Sequence, residues 1–128
     1  MSTIFTKIIN GEIPSYKIYE DDYTYSFLDI KPFHLGHTLV VSKIEVDYFV
    51  DVPEPYYSAV FQTAKKIAPA IQKATKTERI GTLIEGLEVP HFHYHLIPIK
   101  EENGFIVPRK SFGQQEYEEI AKKIRSYL

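Results

Sequence analysis

Apolar positions along this chain recur with two periods, and the alternation between them outlines the fold. Residues 4–9, Ile-Phe-Thr-Lys-Ile-Ile, read as a short N-terminal turn or helix that Gly11 and Pro14 interrupt. Tyr16–Glu20 and Tyr23–Leu28 flank Glu20-Asp21-Asp22 and predict two strands of a hairpin. Asp29–Gly36 contains Pro32 and Gly36 and reads as a loop. His37–Ser42 is β-branched and apolar, which predicts a largely buried strand. Then the period lengthens. Tyr57, Val60, Phe61, Ala64, Ile67, Ala68 and Ile71 recur as one face of a helix. Asp51 is positioned to cap it, with Pro53 and Pro55 tolerated in the first turn and Glu54 favourable there. Pro69 falls inside the pattern. An interior proline costs about 3 kcal/mol or kinks a helix, so a bend or an early stop is expected there. Arg79–Glu85 predicts a strand leading to a loop at Gly86, and His91–Ile99 a further strand. Glu101–Gly113 is polar and contains glycine. Tyr117, Ile120, Ala121, Ile124 and Tyr127 share one face of a C-terminal helix over residues 114–127. Hairpins, one long helix and further strands predict an α+β domain, an antiparallel sheet with helices on one face.

Composition narrows the class. A chain of 128 residues can bury a real core as one domain, residues 1–128. Its net charge of -2 offers no broad basic surface, so neither nucleic acid nor an anionic membrane is an expected partner. No apolar run is long enough for a transmembrane helix, and the first residues lack the build of a signal peptide. With no cysteine there is neither a disulfide framework nor a thiolate zinc site, and a cytoplasmic location is expected.

The chemistry concentrates in the histidines. All 5 lie in two short segments, His34 and His37 in one, His91, His93 and His95 in the other. On a strand, side chains at period two share a face, so the last three line one side while Phe92, Tyr94 and Leu96 line the other. A single histidine on a strand is usually structural; three in alternation point to a site. Two chemistries are open. One is zinc held by His93, a neighbour and His37. The whole set cannot hold one ion, because four residues of strand separate His91 from His95 by ~13 Å, against zinc–nitrogen bonds of ~2.0–2.1 Å. The other is nucleophilic attack at phosphorus. A neutral imidazole such as His93 attacks, His91 or a backbone carbonyl fixes its tautomer, and His95 and His37 donate to the phosphate.

The run His91-Phe92-His93-Tyr94-His95-Leu96-Ile97 resembles the signature of the histidine triad superfamily. Other blocks are similar to its nucleotide-binding branch in the same order: residues 4–9 followed by Glu12-Ile13-Pro14, then Glu20-Asp21-Asp22, Phe27-Leu28-Asp29-Ile30 and Gly36-His37-Thr38-Leu39-Val40-Val41. The resemblance implies a five-stranded antiparallel sheet with a long helix, paired as a homodimer. It also implies hydrolysis or transfer of a nucleoside monophosphate through a nucleotidyl-histidine, with a purine nucleotide as substrate and no cofactor or metal. On this pattern His93 attacks, His95 contacts phosphate, His91 supports the network and His37 lines the site. Asp29 accepts from the ribose hydroxyls, and Phe5, Ile8, Phe27 and Ile30 form apolar walls around the base.

The chain also departs from that pattern. Thr3 and Thr6 stand where many members have zinc-binding cysteines, and Lys43-Ile44-Glu45-Val46 lacks the histidine that completes the set. The loop Leu83–Pro90 carries Leu87 where glutamine is common, with Glu88 beside it as a candidate contact to substrate. The expected activity is hydrolysis or transfer at the α-phosphorus of an adenosine monophosphate phosphoramidate, ester or anhydride. A nucleotide-binding regulatory protein with little turnover is the alternative, and a zinc-dependent hydrolase a third.

Overall fold

The computed structural model describes residues 2–100 and 107–128; the first part of the polar segment from Glu101, residues 101–106, therefore lies outside the described residues. Helix α1 (Ile4–Ile9) precedes strands β1 (Lys17–Glu20), β2 (Thr24–Leu28) and β3 (Thr38–Ser42). Helix α2 (Tyr56–Thr75), strands β4 (Arg79–Leu83) and β5 (His93–Ile99) and helix α3 (Gln114–Ser126) follow. The strands form one antiparallel sheet in the order β1-β2-β3-β5-β4. The α+β class read from the sequence is correct.

The sheet is covered on two sides, unequally. Ile18, Leu28, Val40, Phe92 and Leu96 pack with Val60, Ile67 and Ile71 of α2 and with Tyr117 and Ile124 of α3. Burying each such side chain contributes about 1.5–3 kcal/mol. On the other face Tyr25, Phe27, Leu39 and Val41 pack under Phe5 and Ile8 of α1. Strands β2 and β3, sandwiched between these layers, are buried at every position.

Three local expectations needed correction. Asp51 does not cap α2. It ends a separate 3-10 turn, Phe49–Asp51, and Val52 is then extended at φ -72° and ψ 120° because a following proline disfavours the helical conformation. Helix α2 begins at Tyr56, where the Glu54 carboxylate accepts the Ser58 N–H at 2.8 Å and serves its N-terminus instead. Nor does Pro69 stop the helix, which runs on to Thr75. The carbonyl that Pro69 leaves without a partner belongs to exposed Lys65, where water can satisfy it, while Ala70, Ile71 and Ala74 stay buried beneath. Lastly, β5 starts at His93, so His91 precedes the strand. Its N–H closes a tight turn onto Val89 O at 2.8 Å, and Phe92 N–H goes to Val46 O at 2.7 Å, off the ladder.

Candidate active site

Period two places His93 and His95 on the thinly covered face, opposite Val41 and Leu39 of β3. Helix α1 covers this face, and the Phe5 ring meets the His93 ring edge-on at 4.9 Å and the His91 ring at 5.7 Å. His37 immediately precedes β3. The turn before it needs Gly36, which has φ +102° and where a Cβ would lie 2.6 Å from Thr75 Cγ2.

The hydrogen bonds assign each ring a tautomer, because a carbonyl can only accept and a backbone N–H can only donate. His93 Nδ1 lies 2.6 Å from the carbonyl of His91 and must carry the proton. Its Nε2 is then a lone pair on the wall of the cavity. Of the two supports expected for His93, a carbonyl serves, and it is His91's own backbone. The His91 ring has a different task. Its Nε2–H donates to Ser42 O at 2.6 Å, and its Nδ1 accepts from the Thr3 hydroxyl at 2.7 Å. Thr3 also caps α1 by accepting Thr6 N–H at 3.2 Å. The Glu45 carboxylate takes the Thr3 N–H at 2.7 Å and the Thr6 hydroxyl at 2.6 Å. The positions that depart from the family's zinc set thus converge as a hydrogen-bonded cluster around His91.

A second chain of bonds runs through His37. The Phe33 N–H donates to His37 Nδ1 at 3.1 Å, so the His37 proton sits on Nε2 and points at His95 Nδ1, 2.9 Å away. His95 therefore carries its proton on Nε2, on the cavity side. Burial pushes His37 down to about 3 and His95 down to about 4, and lowers His91 as well, so these three rings are neutral at physiological pH. The Asp29 carboxylate approaches His37 Nε2 at 3.7 Å, but a neutral ring makes this no ion pair.

These groups border a cavity of about 410 Å³, within the roughly 300–1,000 Å³ of small-molecule sites. Among the expected site residues, His93, His95, Asp29, Phe5, Ile8, Phe27, Ile30 and Glu88 line it; His37 and His91 stand behind it. Phe5, Ile8 and Phe27 belong to the core and to the cavity wall at once, whereas Ile30 is largely exposed at the mouth. Leu87, almost fully exposed, is not in the lining. The zinc grouping built on His93 does not assemble. Asp29, His37 and His95 approach a metal-binding set most closely among the described residues, with ligand atoms within 4.8 Å of one another, and the His37–His95 hydrogen bond already occupies two of those nitrogens.

Sequence reasoning missed Arg109. It reaches over the mouth from the segment before α3, donating from Nη1 to Asp29 Oδ2 at 3.0 Å and to Lys31 O at 2.6 Å, with Nη2 3.4 Å from Glu88. Its only sequence signal is a basic pair, Arg109-Lys110, in a polar stretch. Thr3, Ser42 and the Phe33 amide were missed too, since nothing local marks a hydroxyl, a carbonyl or an N–H as a partner of a distant imidazole.

Comparison with known proteins agrees with this geometry. A family model for the HIT domain matches residues 10–102. The adenosine 5'-monophosphoramidase HNT1 of Saccharomyces cerevisiae is 34% identical over 130 residues, spanning 98% of this chain and 80% of that protein. An uncharacterised HIT-like protein of Borreliella burgdorferi is 39% identical over 109 residues, 80% of this chain and 78% of its own. The crystal structure of a Hit-like protein involved in cell-cycle regulation from Bartonella henselae superposes with a TM-score of 0.88 at 35% identity, covering 99% of this chain and 97% of that one. With its alternating histidines, five-stranded antiparallel sheet and these relatives, the chain belongs to the HIT, or histidine triad, family.

Proposed function

We propose that the protein hydrolyses or transfers a nucleoside monophosphate from an adenosine phosphoramidate, ester or anhydride, through a nucleotidyl intermediate on His93. One observation carries this: His93 is held as the Nδ1–H tautomer by a carbonyl, which leaves Nε2 a free nucleophile facing an apolar cavity that also contains a carboxylate. The base packs among Phe5, Ile8, Phe27 and Ile30. The two oxygens of Asp29 suit a vicinal diol of ribose.

The reaction proceeds in two displacements. The His93 Nε2 lone pair attacks the α-phosphorus as the bond from phosphorus to the leaving nitrogen or oxygen breaks. A departing amine takes its proton from water at the open mouth. Charge building on the phosphoryl oxygens is met by the His95 Nε2–H, a donor already in place, and such preorganised donors usually supply the largest share of rate enhancement. Water then attacks phosphorus from the side the first leaving group vacated, opposite His93; the bond from phosphorus to His93 Nε2 breaks, the nucleotide is released and the water's proton passes to solvent. His95 is neutral in this scheme throughout, which suits a donor of hydrogen bonds rather than of protons. The yeast relative's name, a monophosphoramidase, supports an amine as leaving group. Pairing into a homodimer, as the family resemblance implies, forms part of the same proposal.

The test is amine release from adenosine 5'-phosphoramidate, comparing wild type with His93→Ala in the presence of chelator. Turnover that survives the chelator and vanishes in the variant, with nucleotide binding retained, is the expected result. Tight nucleotide binding by a wild type with no turnover would replace this reading with a regulatory one.

A further inference from the structure

Arg109 holds a position that its contact with Asp29 alone does not account for. Its guanidinium carbon stands 4.1 Å from the centre of the Phe33 ring, which stacks in turn on the His37 ring at 5.5 Å and 7°. Arg109 therefore touches both the residue beside His37 and the carboxylate facing it. His37 Nε2–H has two acceptors within reach, His95 Nδ1 at 2.9 Å and Asp29 Oδ2 at 3.7 Å. A carboxylate is intrinsically the stronger of the two, since hydrogen bonds to an ionised acceptor are about twice as strong as neutral ones. A small rotation of either side chain would give it the proton. Arg109 occupies that oxygen with a cationic donor at 3.0 Å, while Lys31 N–H holds Oδ1 at 2.8 Å.

We propose that Arg109 is a positioning residue: it keeps Asp29 from capturing the His37 proton, so that this proton stays on the path to His95 and His95 presents Nε2–H to the cavity. The charged or titratable groups around the pair are Asp29 and His34 from the loop before β3, His93 on β5, and Arg109 and Glu88 at the mouth. Of these, Asp29 is the one that competes for the proton. Arg109 acts through two residues and needs no contact with phosphate. The inference rests on the reading of His95 as a phosphoryl donor for its kinetic consequence, but not for its structural one.

The test uses the full chain with ¹⁵N-labelled histidine. Two-bond nitrogen–proton spectra report which ring nitrogen carries the proton in wild type, Arg109→Gln, Arg109→Lys and the double variant Arg109→Gln/Asp29→Asn. Wild type should show His95 as the Nε2–H tautomer alone. Arg109→Gln should show a mixture, and kcat for adenosine 5'-phosphoramidate should fall about tenfold or more, part of the roughly 10²–10³ that one positioned donor supplies, with a smaller change in KM. Arg109→Lys should restore part of both, and it carries the same test at smaller amplitude if Arg109→Gln does not fold. The double variant should restore the tautomer, because a neutral amide attracts the proton less than a carboxylate. An unchanged His95 tautomer in Arg109→Gln, or a double variant no better than the single one, overturns the proposal. If the tautomers respond while the wild type shows no turnover, the functional reading fails and the positioning role stands.

Discussion

The Thr3 hydroxyl offers a sharp test of the cluster around His91. Thr3→Val keeps the shape of the side chain and deletes two bonds. The first is the 2.7 Å donation to His91 Nδ1, whose ring is 0% exposed and lies beside the Phe5 ring. An acceptor stranded in such surroundings costs about 1–3 kcal/mol. The second is the N-cap of α1, accepted from Thr6 N–H at 3.2 Å and worth about 1 kcal/mol. Together they amount to about 2–4 kcal/mol, a shift of roughly 10 °C in Tm for a domain of this size. Thr3→Ser keeps the hydroxyl and loses one methyl group, so it should cost much less. Thermal and urea denaturation of wild type and both variants, at constant pH and salt, measure the difference. Equal stability of the Val and Ser variants would refute the view that the Thr3 hydroxyl holds the His91 ring.

Two further outcomes are expected. His37 and His95 lie at about 3 and about 4 in the folded chain, below the imidazole value of 6.5, so the unfolded chain binds more protons as pH falls. Their contribution is intact above pH 6.5 and is lost on acidification through the folded values. Chemical denaturation should show a loss of about 4 kcal/mol between pH 6.5 and 4.5, largely above the carboxylate range, and a flat profile there would count against the neutral pair. Asp29→Ala should weaken ribonucleotide binding more than deoxyribonucleotide binding in calorimetric titration, and equal losses would remove the ribose assignment.

How far the sequence revealed the site depended on the range of the interaction. The period-two run at residues 91–95 announced a histidine face because alternation is a local property of strands. It overreached at His91, where the turn at Val89 and the bond from Phe92 to Val46 pull the chain off the ladder before the strand begins. The helical face of α2 was legible, but its start was not, because the competition between Asp51 and Glu54 as N-terminal partners is decided by two prolines acting on their neighbours. Pro69 was misjudged because the pattern gives propensity, whereas the outcome depends on whether the orphaned carbonyl meets water or core. Arg109 was invisible for a simpler reason. It meets Asp29 across 80 residues of chain, and no local pattern encodes that meeting.

The Phe33 amide has a consequence of another kind. It orients a ring at position 37, which orients a ring at position 95, and yet it belongs to the main chain. Side-chain substitution at position 33 leaves this donor in place, apart from proline, which has no N–H. Unlike a hydroxyl or an imidazole, a peptide N–H does not titrate in the physiological range and exists in one protonation state only. The direction of the whole chain of bonds is thereby set by a group that is indifferent to pH and almost beyond the reach of point mutation. The polarity of the site is a property of the loop's path, so homologous sequences can drift at this position and still present the same nitrogen to substrate.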